Sequence, residues 1–198
     1  LIVGSLQFEG EKAKEIFRFS LKELDKELLH QLLNDGGHYE RSASYHLLIL
    51  ERLIELGLIL ENVNGTRPQW LITAISKMIN WSNSIKLCNG HFPIFNDSPE
   101  ISCNIDSIIN FGICYLNRTI FVEKGIRNIL TQIYTSSSEA NFQLAKKNGN
   151  NYLTKLFDTG WIIACDNKGL ELMLKVGDSC PRYLPAHAHS DLLSFDLY

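Results

Sequence analysis

The chain has 198 residues, 45% of them hydrophobic, enough to bury a sizeable core. Its net charge of −3 and pI near 6.1 argue against a nucleic-acid or membrane-surface role, although one local basic cluster can still hold an anionic ligand. No apolar run reaches the ~20 residues of a membrane span, no signal peptide is visible, and five scattered cysteines without CxxC spacing predict single buried thiols rather than a disulfide framework or zinc ribbon.

The opening LIVGSLQFEG lacks a methionine, and the closing LLSFDLY alternates like a strand just begun, so the chain reads as an internal piece of a longer protein. Across residues 10–33, Ala13, Ile16, Phe17, Leu21, Leu24, Leu28 and Leu32 recur at three- and four-residue steps, which predicts an amphipathic helix. Asn34-Asp35-Gly36-Gly37 stops it, glycine being free to turn left-handed. Ser42 is the expected N-cap of a second helix reaching about residue 60. ENVNGTRP is a turn punctuated by Asn64-Gly65 and Pro68. A third helix is expected over residues 69–87, burying Leu71, Ile72, Ile75, Met78, Ile79 and Trp81. The polar loop CNGHFPIFNDSPE separates it from a fourth helix over residues 105–116.

Beyond Thr135 the texture changes. TSSSEANFQLAKKNGNN is polar and reads as a surface segment or linker. YLTKLF, GWIIACD and LELMLKVGD, each bounded by Gly, Asp or Asn, read as strands. Helices first and strands afterwards predict an α+β chain of two layers or domains, divided as 1–135, a linker at 136–150, and 151–198.

Two polar clusters carry the chemistry. NDGGHYERSASYH, residues 34–46, concentrates acids, histidines, an arginine and tyrosines at one helix entrance. If the second helix starts slightly early, His38, Arg41 and Tyr45 share one face, with Ser42 and His46 as a neighbouring pair. The helix N-terminus would favour an anion. Arg41 could offer its planar fork to a carboxylate, His38 could exchange protons near neutral pH, and Tyr45 could donate or accept a hydrogen bond. The plainer alternative is a capped helix with a salt bridge from Glu40 to Arg41 or Arg52. The density of groups in one turn favours a functional site.

In PAHAHSDLLSF, His187 and His189 alternate along an extended stretch and point to one side, with Asp191 next on that side, a frequent metal-ligand arrangement. Metallo-hydrolases of the β-lactamase type also carry H-x-H-x-D, but with a further histidine where this chain has Leu192, and on strands where this chain is helical.

Together these segments resemble the heparinase II/III-like polysaccharide lyases, a family that includes alginate and oligo-alginate lyases. The resemblance rests on QLLNDGGHYERSASYHLLILERLIEL, GHFPIFNDS and PRYLPAHAHSDLLSF. It implies part of an α/α toroid followed by the start of an antiparallel β-sandwich. The implied reaction is β-elimination at a uronic acid of an anionic polysaccharide or oligosaccharide. His38 and Arg41 would bind and neutralise the carboxylate, and His187 would act from the sandwich side as base or acid. His189 would hold a structural Zn2+, the remaining ligands lying past residue 198. Glu40, Tyr45 and His46 become supports or subsite contacts, and Asn96 and Asp97 line the rim. The family's proton-transfer tyrosine has no counterpart in NGHFPIFNDS, which offers Phe92 and Phe95. Tyr45, Tyr115 or His91 stands in for it, or the protein binds glycan without cleaving it. A toroid hydrolase using Asp35, Glu40 or Asp97 as paired carboxylates is a further alternative. The resemblance also favours a periplasmic or secreted location.

Overall fold

The computed structural model describes residues 1–99, 105–118, 152–183, 185 and 193–198. A short helix α1 (Ile2–Ser5) precedes four longer ones: α2 (Glu11–Gln31), α3 (Ala43–Asn64), α4 (Gln69–Ile85) and α5 (Ile105–Asn117). Strands β1 (Tyr152–Leu156), β2 (Trp161–Cys165), β3 (Glu171–Lys175) and β4 (Phe195–Leu197) follow. The chain is thus α+β, helices first and an antiparallel sheet after them, as the residue pattern predicts. The expected linker at 136–150 lies outside the described residues.

In α3, Leu47, Leu50, Ile54 and the pair Leu56 and Leu60 are buried, and α4 and α5 pack against it. Helices of this kind are held by tertiary burial on most sides rather than by one narrow stripe. The helix ends where Gly65 takes φ +62° in the left-handed region. By contrast α2 buries only Ala13, Ser20 and Leu28 fully, so its periodic apolar face is half covered.

The sheet runs β1-β2-β3-β4 with every neighbouring pair antiparallel. Strand alternation puts Leu156, Trp161, Ile163, Cys165, Glu171, Met173 and Lys175 on the buried face. Trp81 of α4 meets Trp161 at 5.4 Å between ring centroids, and Phe95 meets the same indole edge-on at 5.4 Å, which joins the helical and sheet cores into one. On the outer face Leu153, Phe195 and Leu197 are exposed. A sandwich needs a second sheet on this face; the described residues form one sheet with an apolar outer side.

Candidate functional site

Residues 33–42 form an irregular strap, not an early helical turn. Leu32 and His38 pair in an isolated antiparallel bridge, and the helix begins only at Ala43. Arg41 has φ +55°, a left-handed conformation incompatible with a helical first turn. The shared helical face expected for His38, Arg41 and Tyr45 is therefore absent, because the strap's polar groups bond to the sheet instead of propagating the helix.

Those bonds define the junction. Asp35 accepts three hydrogen bonds, from the amides of Gly37 (3.1 Å) and Thr159 (2.7 Å) and from the Thr159 hydroxyl (3.0 Å). Thr159 Oγ1 in turn accepts from the Trp81 indole at 2.9 Å. The Asn34 amide donates to Asp158 Oδ2 at 3.0 Å. Gly37 is required by proximity alone: a Cβ there would lie 2.5 Å from Thr159 Oγ1 and 2.7 Å from Trp81 Nε1. With Asp35 committed to this clasp, the paired-carboxylate hydrolase loses one of its three candidate acids.

Arg41 belongs to the same clasp. One terminal nitrogen donates to the Asp158 carbonyl at 3.2 Å and the other to the Asp178 carbonyl. The fork expected to grip a substrate carboxylate thus grips the turn after β1 and the segment after β3. The Glu40–Arg41 salt bridge does not form either; Arg52 pairs with Glu55 at 2.5 Å and Glu51 at 3.6 Å. Asn96, fully buried with φ +52°, donates to the carbonyls of Glu40 (3.1 Å) and Ser179, and accepts from buried Lys175. Its expected place on an exposed rim gives way to a buried post between helices and sheet. Ser42 occupies the N-cap of α3 without a side-chain cap bond. Ser98 Oγ, from the loop after α4, takes the Ser44 amide at 3.1 Å instead.

The two histidines of the strap region are both interior. His38 is 3% exposed; its Nε2 lies 3.2 Å from Gln31 Oε1 and its Nδ1 4.0 Å from Glu40 Oε2. Donation from Nε2 to the Gln31 carbonyl oxygen leaves Nδ1 as the bare nitrogen. Burial lowers the His38 pKa to about 4, so the ring is neutral at physiological pH. His46 is fully buried, donates to the Met78 carbonyl at 3.0 Å, and stacks on Trp81 at 4.3 Å. Its pKa is lowered to about 3, chiefly by burial. It has no face left for a substrate, which leaves only the supporting role expected for it. Tyr115 is likewise buried beneath the Arg67 guanidinium and cannot stand in as the proton-transfer tyrosine.

A half-exposed set surrounds the strap. Tyr45 donates to Asp97 Oδ2 at 3.2 Å, and its pKa is raised by desolvation and by the Asp97 carboxylate, so it stays protonated. Glu40 is partly buried. His91 does not belong to this set: it is exposed in the loop after α4, its amide donating to Asn89 Oδ1 at 2.9 Å and its carbonyl accepting from the Leu87 amide at 2.9 Å. An aromatic row runs outward from His38: its ring meets Tyr39 edge-on at 4.6 Å, and Tyr39 lies 6.3 Å from exposed Tyr183. Tyr39 and Tyr183 were not singled out in the sequence, although each stands inside or beside one of the two polar motifs. His187, His189 and Asp191 lie outside the described residues. Among the described residues the potential metal ligands that come together are Cys88, Cys165 and Glu171. The two cysteines are therefore not the solitary thiols expected, and Cys88 is exposed. No helix among the described residues is long and apolar enough to cross a membrane.

Comparison with known proteins places this arrangement. No curated protein matches significantly. Among solved structures, the heparan sulfate lyase HepC from Pedobacter heparinus superposes with TM-score 0.64 at 19% identity, covering 96% of this chain and 28% of that one. The Heparinase III-BT4657 gene product gives TM-score 0.64 at 19% identity over 98% and 29%. The chain thus spans under a third of the length of these structures, and the likeness is one of fold. The family description "Heparinase II/III N-terminus" matches residues 1–113, more than half the chain, and "Heparinase II/III-like, C-terminal" matches residues 148–198. With both parts matched in chain order across the clasp just described, the chain belongs to the heparinase II/III family.

Proposed function

We propose that this chain is the junction segment of a polysaccharide lyase that cleaves a uronic-acid glycan by β-elimination. In that reaction a base removes the C5 proton, the C4–oxygen bond breaks as a C4=C5 double bond forms, and an acid protonates the departing oxygen. The observation that carries the reading is the strap: residues 34–41 are bonded to the loops of the sheet at Asp158, Thr159 and Asp178. Tyr183 lies in the aromatic row beside His38. His187 follows Tyr183 by four residues, so its Cα is tethered within about 14 Å of that tyrosine.

In this reading His187 is the base. Tyr45, held protonated beside Asp97, is the acid, and His91 and Glu40 contact the glycan. His38 contributes a neutral imidazole, acting through hydrogen bonding rather than charge, and Arg41 positions it. The basic groups at the junction, Arg41 and Lys175, already bond to carbonyls and to Asn96, which favours a polymer without sulfate. A structural Zn2+ at His189 and an extracytoplasmic location belong to the reading through family membership; no step passes through the metal.

A second reading has its own support. Among the described site residues, His38 is neutral and Arg41 is engaged, so a carboxylate neutraliser has to come from elsewhere in the full-length protein. A glycan-binding protein without turnover needs none. One experiment separates the two: full-length protein is incubated with alginate, heparan and other uronate polymers while absorbance of the unsaturated product is followed. Product that disappears in His187→Ala supports the lyase. Binding without product from any polymer selects the second reading.

A further inference from the structure

The antiparallel register sets Tyr152, Cys165 and Glu171 side by side across β1, β2 and β3. Directly opposed residues share a face with Cβ atoms about 5 Å apart, so the row brings a phenol, a thiol and a carboxylate together at one end of the sheet. The loop after α4 lays Cys88 over this row. The ligand atoms of Cys88, Cys165 and Glu171 all lie within 4.8 Å of one another. Cys165 is 5% and Glu171 1% exposed, whereas Cys88 is open to solvent.

Glu171 poses a physical problem. Its carboxylate accepts from the Cys88 amide at 2.5 Å and from the Tyr152 hydroxyl. Both donors are neutral. No Lys, Arg or His among the described residues lies within ion-pair distance of it. Buried carboxylates are ordinarily paired with a cation or bound to a metal.

We propose that Cys88, Cys165 and Glu171 form a binding site for one thiophilic divalent cation, Zn2+ in chemical class, distinct from any site at His189. Two thiolates and a carboxylate are a zinc donor set, and tetrahedral bonds of about 2.3 Å to sulfur put the two sulfurs about 3.8 Å apart. With all ligand atoms within 4.8 Å of one another, the cluster reaches that spacing with a side-chain adjustment of at most about 1 Å. Binding releases the two thiol protons and leaves one negative charge where the unbound site carries the carboxylate alone, the cation compensating Glu171 directly. The exposed Cys88 gives the ion its path in, and solvent there supplies a fourth ligand. Because Cys88 follows α4 while Cys165 and Glu171 lie in the sheet, the ion bolts the helical layer to the sheet at the end of the row.

The test uses the full-length protein, reduced and stripped with EDTA, titrated with Co2+ and then Zn2+. One equivalent of Co2+ is expected to give a thiolate-to-cobalt charge-transfer band that Zn2+ bleaches. Cys88→Ser, a surface change that leaves the core intact, is expected to remove the band and weaken binding more than about 100-fold, while His189→Ala leaves it in place. Glu171→Gln is expected to weaken binding with both thiols present. A band that survives Cys88→Ser, cobalt bound without thiolate character, or a Cys88–Cys165 disulfide that forms in preference to the metal complex overturns the proposal.

Discussion

Replacing Asp35 by asparagine keeps the shape of the clasp and removes half its acceptors. In the native chain Oδ2 accepts the Thr159 amide at 2.7 Å, while Oδ1 accepts the Gly37 amide and the Thr159 hydroxyl. An asparagine amide must turn its NH2 toward one of these N–H groups, so one charge-assisted bond is lost and one buried donor goes unsatisfied. Thr159 is fully buried, so water does not replace the acceptor. A hydrogen bond to a charged group contributes about 1.5–3 kcal/mol, and an orphaned buried donor costs about 1–3 kcal/mol. Because Asp35 itself is only partly buried, the lower half of that sum, about 3 kcal/mol, is expected for Asp35→Asn. Urea unfolding of the full-length protein checks it, as a loss of about 3 kcal/mol in unfolding free energy, together with amide exchange at Thr159, which should accelerate while exchange in the middle of α3 does not. An unfolding free energy within about 0.5 kcal/mol of wild type, with Thr159 still protected, would refute the reasoning that this carboxylate ties the helices to the sheet.

Gly37→Ala should destabilise by about 1–3 kcal/mol, because the new Cβ would lie 2.5 Å from Thr159 Oγ1 and 2.7 Å from the Trp81 indole; tryptophan fluorescence during urea unfolding measures it. His38 and His46 are held neutral with pKa values of about 4 and 3, while in the unfolded chain each titrates near 6.5. The unfolded state therefore binds more protons below pH 6.5, so the stability these rings contribute is complete above that pH and is lost as pH falls towards 4 and 3. Urea titrations between pH 7.5 and 4.5 should show this decline, with a shallower slope in His38→Gln; equal slopes contradict the burial argument. Tyr45→Phe removes the hydroxyl that donates to Asp97 and should change stability by less than about 0.5 kcal/mol while lowering product formation by about 10²–10⁴-fold. Full activity in that variant excludes Tyr45 as the acid.

Much of the architecture was legible in the residues because helix and strand periodicities are local. The α2, α4 and α5 expectations fall within about two residues of the observed ends, and the three runs read as strands form β1, β2 and β3. The strap was not legible, for a physical reason. Ser42 and the dense polar run predict a capped helix when only neighbours in sequence are considered, but Asp35, Arg41 and Asn96 find partners 83–137 residues away. Those bonds hold Arg41 left-handed and rule out the earlier start, so α3 begins at Ala43, directly after the expected N-cap position Ser42. Polarity alone likewise could not separate a histidine that meets substrate from one that fills a core: His46 packs on Trp81, which alternation and spacing do not reveal. The Cys88–Cys165–Glu171 cluster has no sequence signature because its members are 83 residues apart at the extremes, and only the strand register brings two of them together.

On the proposed reading the strap carries His38, and the first turn of α3 carries Tyr45, to a helix–sheet junction where His187 completes a site for a uronate. A crystal structure of the full-length protein with a uronate oligosaccharide bound tests it most directly. The sugar's carboxylate and C5 are expected between Tyr45 and His187, with His38 beneath and Arg41 still bonded to Asp158 and Asp178. An oligosaccharide bound elsewhere, or His38 and His187 on opposite sides of the molecule, would contradict it.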